Sequence, residues 1–221
     1  MSGLGTESAP TLFDDQPLAE WVDPRPVIAV VTAQEKLSEC VERITLELSL
    51  DPILGVDIET TSLHPNASGR MRLIQLATRA GTYVFDLDLC PDVRELQHLV
   101  IASPALKLAH NAGFEATWIT SEWGEPPRGL HCTRAAFLAL RAAKTGRKDR
   151  KGSRLVDLAE TVLGRTLDKS DQASDWSGDL SEHQLTYAAT DASVLLSLWD
   201  VLGPNLERSA VPADAYTTVP A

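Results

Sequence analysis

An apolar stretch at residues 53–61, Ile-Leu-Gly-Val-Asp-Ile-Glu-Thr-Thr, constrains the fold of this chain more than any other feature. Its composition predicts a buried central strand whose tip leaves the core. Because side chains alternate along a strand, Asp57 and Glu59 should share one face of the sheet. Val56 and Ile58 should share the other. Neighbouring carboxylates repel each other unless a cation lies between them, so the pair indicates either a polar strand end or a site for a divalent ion such as Mg²⁺.

The length and the cysteine pattern indicate one soluble domain. The chain has 221 residues, enough to bury a substantial core. No apolar run approaches the about 20 residues that span a bilayer, and the N-terminus lacks a basic region followed by an apolar segment. Cys40, Cys90 and Cys132 are scattered, and His131 has no partner at zinc spacing. We therefore expect a cytoplasmic protein with no membrane partner, whose cysteines fill the core.

The net charge of −11 argues at first against a nucleic-acid partner, but the charge is unevenly distributed. Acids exceed bases in residues 1–26 and again in residues 207–221. Residues 144–154, in contrast, contain six basic side chains around one acid, Asp149. Such a run is usually a solvated loop, but it could equally follow a phosphate backbone.

Hydrophobic periodicity divides the chain into three parts. Residues 1–26 mix Gly, Ser, Pro and acids without a period and predict a flexible acidic N-terminal arm. Residues 27–206 form the predicted domain, and residues 207–221 a C-terminal tail. Residues 168–176 have no period and look too polar for the core. The predicted strands of the domain lie at residues 26–31, 53–61, 71–77, 82–86, 105–110 and 130–132. The predicted helices begin at residue 32, span residues 91–102, begin at residue 111, and span residues 133–143 and 154–163. A capping box of Ser181 and Gln184 opens a last, long helix.

Further acidic positions follow a predicted strand and occupy the last helix. Asn111 is a plausible N-cap, which would place Glu115 in the first helical turn after a strand tip. Active sites gather at such tips in open α/β sheets. Tyr187 and Asp191 are four residues apart and should lie on one face of the last helix. Alone, a pair of this kind is usually a surface hydrogen bond.

Taken together, these residue types, their order and their separations resemble the 3′–5′ exonucleases that carry four acidic residues and a tyrosine. This family includes ribonuclease D and the proofreading domain of DNA polymerase I. The resemblance covers about residues 27–203 and is most specific at four motifs, at residues 57–60, 110–115, 167–176 and 187–191. It implies an α/β fold of the ribonuclease H-like type, with a mixed sheet of five to six strands, one of them antiparallel, and helices on both faces.

The resemblance also implies two Mg²⁺ or Mn²⁺ ions. By position, Asp57, Glu59 and Asp191 would hold one ion, and Asp57 would also reach the second. Glu115 would support the second ion, through water. Tyr187 would orient the attacking water, because a phenol with an ordinary pKa of about 10 is a poor base at neutral pH.

The same resemblance places the substrate. Thr60 and Leu63 would meet the 3′-terminal nucleotide, with Leu63 against the base, although an ordinary buried leucine is an equal alternative for that position. Asn111 is assigned to substrate binding as well. The implied substrate is a single-stranded or frayed 3′ end of DNA or RNA, cleaved to nucleoside 5′-monophosphates. The resemblance ends before any second nucleic-acid-binding module, so grip on the substrate would come from the domain, its basic run at residues 144–154 or a protein partner.

One departure leaves an alternative open. The family most often has aspartate where this chain has Glu115, and the added methylene displaces the carboxylate. Mg²⁺ tolerates little deviation from octahedral geometry, so we expect reduced or Mn²⁺-preferring activity. The alternative is a catalytically weakened nucleic-acid-binding or scaffold domain of the same fold. Structural Ca²⁺ binding has little support, because the chain contains no EF-hand-like loop.

Overall fold

A computed structural model describes residues 19–20, 26–66, 68–168, 170–171 and 173–221. Most of the predicted N-terminal arm therefore lies outside the described residues. The strands are β1 (Ala19–Glu20), β2 (Val27–Val31), β3 (Ile53–Thr60), β4 (Met71–Ala77), β5 (Thr82–Asp86), β6 (Leu106–Ala109), β7 (Leu130–Cys132), β8 (Arg165–Thr166) and β9 (Thr217–Val219). The helices are α1 (Gln34–Leu50), α2 (Arg94–Ala102), α3 (Gly113–Trp123), α4 (Thr133–Thr145), α5 (Leu155–Leu158) with a π-helical continuation (Ala159–Leu163), α6 (Glu182–Arg208) and a 3₁₀ turn (Ala213–Ala215).

The main sheet has seven strands in the order β2-β5-β4-β3-β6-β7-β9. β3 pairs antiparallel with β4, and β4 pairs antiparallel with β5. β3 also pairs parallel with β6, and β6 pairs parallel with β7. β3 is therefore an interior strand, as the apolar stretch predicts. β1 and β8 form a separate parallel pair.

Helices cover both faces of the sheet. On one face α1, α2 and α3 pack against a large apolar cluster that includes Leu54, Val56 and Ile58 of β3. On the other face α6 packs on the alternate side chains, including Ile53 of β3 and Leu73 of β4. This arrangement confirms the predicted α/β fold and the alternation of β3.

The strand count differs from the prediction because of the chain's C-terminal end. Residues 207–221, set apart above as a tail, contain β9, which pairs antiparallel with β7. The sheet thus has seven strands instead of five to six, and both β4 and β9 run against their neighbours. β9 has only three residues, and it joins the sheet through its pairing with the distant strand β7.

Two local predictions were wrong and two were confirmed. Asn111 does not cap α3: it has a positive φ of 66°, and the N-cap position is Ala112, which makes no side-chain cap bond. The segment 168–176 does contribute to the core, through Trp176. The capping box of α6 is present, with both Ser181 and Gln184 bonded as expected. The three cysteines are free and buried.

None of the helices in the described part of the chain has both the length and the apolar character that a membrane crossing requires.

Candidate active site

Two of the four acids reach the α6 face at the tip of β3. Asp57 and Glu59 line the same cleft as Tyr187 and Asp191 of α6. Val56 and Ile58 point instead into the cluster beneath α1 and α2. The period of two along β3 therefore sends the carboxylates to one side of the sheet and the aliphatic side chains to the other.

A glycine allows α6 to approach β3 closely. A Cβ on Gly55 would clash with the carbonyl oxygen of Ala192 in α6 and would lie 3.3 Å from the Cβ of Ala77. Gly55 lies two residues before Asp57, and Ala192 directly follows Asp191. The contact between the two backbones thus fixes how Asp191 stands relative to Asp57.

Glu115 reaches the same cleft from helix α3. α3 begins at Gly113, shortly after β6, and Glu115 lies in its first turn. Its side chain is buried, and the Oε2 atom has no hydrogen-bond partner among the described residues. A buried carboxyl oxygen without a partner costs free energy, and a cation bound at this position would offset that cost.

Tyr187 and Asp191 lie one turn apart on α6 and are joined by a hydrogen bond between the phenol and the carboxylate. Burial, the charge of Asp191 and this hydrogen bond raise the pKa of Tyr187 further above its ordinary value. The phenol therefore stays protonated and serves as a hydrogen-bond donor, and it is unsuited to remove a proton from water. The surface hydrogen bond considered above does not apply, because this pair faces the cleft.

The four acids lie together without a compensating cation among the described residues, which makes it costly for them to ionise together. Burial, followed by Glu59, Asp191 and Glu115, raises the pKa of Asp57 well above its usual range. Burial, then Asp191, Asp171 and Glu115, raises the pKa of Glu59 to about 9. Burial also raises the pKa of Glu115 to about 8 and that of Asp191 to about 7.

No basic side chain in the described residues contributes to lowering these pKa values. Like charges held this close without a cation destabilise the folded chain, which makes the cleft suited to a positively charged ligand.

The cleft has a volume of about 390 Å³ and an apolar rim. Leu63 is 78% exposed and lines it, so the alternative of an ordinary buried leucine is wrong. Thr60 also lines the cleft and donates its hydroxyl to the carbonyl of Ser62 at 2.7 Å. Phe114 and Trp176 also contribute apolar surface to the lining.

Asn111 does not line this cleft. Its Oδ1 instead accepts a hydrogen bond from Arg134 at 3.4 Å. The structure thus brings seven of the eight predicted site residues together and leaves Asn111 outside.

The donor set suits a hard divalent ion, but the side chains are not yet arranged around one. Across the ranges that the structure describes, no three His, Cys, Asp or Glu side chains are placed so that they could hold a metal ion as they stand. The chemistry nevertheless fits, since carboxylate oxygens are the ligands that Mg²⁺ prefers and the oxygen Oε2 of Glu115 lacks any partner. Binding of an ion would require these carboxylates to rearrange.

Sequence reasoning missed Trp176 as part of the site. Its side chain is buried, it packs with Leu73, Val84 and Ala188, and its ring centre lies 6.5 Å from that of Tyr187. It therefore supports the tyrosine from the side. Its presence in the motif at residues 167–176 was the available signal, which the polar composition of that segment concealed.

A histidine holds the same segment near the cleft. His183, on α6, contacts Asp168 at 3.1 Å and also contacts Asp171. Both aspartates belong to the segment that carries Trp176, and the carboxylates raise the pKa of His183. The contacts join this irregular segment to the helix that carries Tyr187.

Gln75 was also missed. It lies directly opposite Asp57 in the β3–β4 pair, so the two side chains share a face of the sheet. Gln75 is fully buried, and neither atom of its amide has a hydrogen-bond partner within the described residues. An unsatisfied amide beside a catalytic-type carboxylate is costly to the fold and is the kind of group that functional sites retain.

Comparison with known proteins gives a consistent result. The sequence model of a family described as 3′–5′ exonuclease matches residues 28–207. DNA polymerase I of Aquifex aeolicus is 31% identical over 170 residues, which cover 76% of this chain and 26% of the polymerase. The chain spans less than half the length of the curated relatives it matches.

Solved structures share the fold. The crystal structure of Escherichia coli RNase D, described as an exoribonuclease involved in structured RNA processing, superposes with a TM-score of 0.73 at 23% identity and covers 85% of this chain and 47% of that protein. Trypanosoma brucei RNase D in complex with RNA U12 superposes with a TM-score of 0.67 at 25% identity, over 81% of this chain and 63% of that one.

Proposed function

This chain belongs to the 3′–5′ exonuclease family, and from that premise we propose that it is a metal-dependent 3′–5′ exonuclease. It would hydrolyse phosphodiester bonds at single-stranded or frayed 3′ ends of DNA or RNA and release nucleoside 5′-monophosphates. One observation carries the proposal: four carboxylates without a compensating cation share one cleft with a protonated tyrosine and an exposed leucine.

Each side chain has a role that follows from its position. Asp57, Glu59 and Asp191 would hold one Mg²⁺ or Mn²⁺ ion, and Asp57 and Glu115 would reach a second. When bound, a pair of ions supplies an acidified water and stabilises charge on the attacking and leaving oxygens. Tyr187 orients the attacking water through its hydroxyl, which its raised pKa keeps protonated.

The rim of the cleft would bind the terminal nucleotide. Leu63 presents an apolar side chain to solvent beside the acids, where a base could cover it. Phe114 offers a further apolar surface. A free strand end suits this site because a cleft of this size accepts one terminal nucleotide more easily than an intact duplex. The RNA bound to the T. brucei relative supports a nucleic-acid substrate.

The decisive test is a cleavage assay on a 5′-labelled single strand of 12 nucleotides, as DNA and as RNA, with Mg²⁺ or Mn²⁺. We expect products that shorten one nucleotide at a time from the 3′ end. Asp57→Asn, which keeps the shape of the side chain and removes its charge, should abolish the products. Tyr187→Phe should slow cleavage by roughly 10-fold or more, since it removes only the orienting hydroxyl. No shortened product from either polymer with either metal would refute the proposal.

A second function has one observation in its favour. No group of acids in the described part of the chain is already arranged to hold an ion, which is compatible with a weakened nucleic-acid-binding or scaffold domain. Glu115→Asp separates the two functions. A large gain in cleavage rate would show that glutamate weakens an active site, whereas inactivity of both forms together with retained strand binding would favour the binding domain.

A further inference from the structure

We propose that the segment from Gly146 to Arg154, here called the basic loop, is a binding surface for the phosphate backbone of the single strand whose 3′ end enters the cleft. This inference rests on the proposed nuclease function, which it extends by assigning where the rest of the substrate lies.

Contacts with α4 fix the course of the basic loop. The buried side chain of Arg141 donates to the carbonyl of Lys151 at 2.7 Å and also to that of Asp149. Farther along, Arg134 donates to the hydroxyl of Ser153 at 3.1 Å. The loop leaves the far end of α4 and therefore runs back along it, over a length of about 10 Å between residues 141 and 134 at 1.5 Å per residue.

The loop ends at the same sheet edge as the cleft. The imidazole of His110 contacts the carbonyl of Ser153 at 3.2 Å and the hydroxyl of Thr133 at 3.0 Å. His110 directly follows β6, and α3, which carries Glu115, begins three residues later. Arg134 closes the gap by contacting Asn111. The basic loop thus forms a path that leads towards the acids.

Three cations on this path are free to bind anions. Arg147 is paired with Asp149 at 3.1 Å, and Arg154 with Asp157 at 2.8 Å. Lys148, Arg150 and Lys151 are exposed, and their side chains form no ion pair with any residue that the structure describes. Their backbone is held by buried Arg141 and by Ser153, so the charges are presented without any role in the packing.

The charge of the rest of the chain favours a polyanion at this place. The chain carries a net charge of −11, so a strand of nucleic acid is repelled by most of the surface. Three unpaired cations on the loop that leads to the cleft offer a local exception to this repulsion. Lysine and arginine bind phosphates irrespective of sequence, so we expect DNA and RNA single strands to bind alike.

The test compares two triple variants of the full chain. K148Q/R150Q/K151Q removes the three free cations of the basic loop. K36Q/R94Q/R208Q removes three exposed cations from α1, α2 and the end of α6, none of which lines the cleft, and matches the change in net charge. Both leave buried side chains untouched, and unchanged melting temperatures would confirm that both fold.

The ligand is a 12-nucleotide strand with fluorescein at its 5′ end and no label at its 3′ end. Its binding is measured by fluorescence anisotropy across a series of salt concentrations, and EDTA in the buffer prevents cleavage. For the basic-loop variant we expect Kd to rise at least tenfold at 0.1 M salt. The slope of log K against log salt should fall by about 2, since each single-strand phosphate contact contributes roughly 0.7. The control variant should match the unaltered chain.

Equal affinities of the two variants, or an unchanged salt slope, would overturn the proposal. So would an equal loss in the control variant, because the effect would then reflect net charge alone. The measurement needs no catalysis, so it tests the basic loop even if the cleavage assay fails. Conversely, if the unaltered chain cleaves and the basic-loop variant binds the strand as tightly as the unaltered chain, only the proposed role of the basic loop is refuted.

Discussion

Replacing Glu59 by glutamine should stabilise the metal-free protein while it abolishes cleavage. Glu59 shares the cleft with three other carboxylates, and no basic side chain in the described residues offsets its charge. Glutamine has almost the same shape and no charge. Its amide is also less costly to bury than a carboxylate. The substitution therefore relieves repulsion in the folded state without opening a cavity.

The pKa of Glu59 sets the magnitude. Burial and its acidic neighbours raise this pKa from 4.5 to about 9, so the folded state binds the proton more tightly than the unfolded state does. The contribution of Glu59 to stability is then most favourable below pH 4.5 and declines as the pH rises towards 9. At pH 7.5 the penalty has a ceiling of about 4 kcal/mol, at about 1.4 kcal/mol per pH unit. Because the four acids share this cost, we expect Glu59→Gln to recover about half, or about 2 kcal/mol.

The assay is thermal unfolding in EDTA. For a chain of this size, about 2 kcal/mol corresponds to a rise in Tm of about 4–8 °C. The gain should shrink at pH 5, because that pH lies close to the ordinary pKa of 4.5 and protonating the carboxyl on folding then costs little free energy. Added Mn²⁺ should raise the Tm of the wild type more than that of the variant, since the ion neutralises the same charge. Asp179→Asn, which removes an exposed charge outside the cleft, is the matched control and should leave the Tm unchanged.

A lower or unchanged Tm for Glu59→Gln in EDTA would refute this reasoning, because it would mean that the acids do not strain the folded state. A gain of equal size at pH 5 and pH 7.5 would also refute it.

Three further predictions concern residues around the site. Gly55→Ala should lower the free energy of unfolding in urea by about 1–3 kcal/mol and abolish cleavage, because the new Cβ pushes α6 away from β3. The control is Gly113→Ala, whose Cβ would meet nothing within 4 Å and which should change neither property. Gln75→Met should leave the free energy of unfolding unchanged or raise it, since it removes an unsatisfied buried amide. It should lower kcat in the cleavage assay, because the amide would no longer position Asp57, and an unchanged kcat would assign Gln75 no role in the site. Burial, with a smaller effect of a nearby arginine, lowers the pKa of His110 to about 4, so the unfolded state binds the extra proton between pH 6.5 and 4. The free energy of unfolding should therefore fall by about 3 kcal/mol as the pH is lowered across that window. His110→Gln should flatten this part of the curve of stability against pH, and parallel curves for the two proteins would contradict the assignment.

The sequence alone determined the architecture around β3. An apolar strand with Asp57 and Glu59 at its tip, helices with regular apolar spacing and the capping box at Ser181 are local patterns, and the structure confirms each of them. The alternation of β3 also fixed which side chains face the core. These features depend on neighbours within a few residues, which is why a single chain without coordinates reveals them.

Other features depended on distant parts of the chain. β9 joins the sheet only because its residues pair with those of β7, 86 to 89 positions earlier, and no local pattern encodes this pairing. Asn111 adopts a left-handed conformation and turns to Arg134, although its type and place favoured a helix cap. Trp176 is buried because α6 and the sheet enclose it, in spite of its polar neighbours.

The charge balance of the site also depended on distant parts of the chain. The sequence supplied four acids, but only the packing of α6 against Gly55 and the first turn of α3 bring them into one cleft without a cation. The course of the basic loop towards that cleft was equally undetermined, because it follows from Arg141 and His110 contacting carbonyl groups of the loop. Long-range packing sets both distances and burial, and these decide how strongly charges interact.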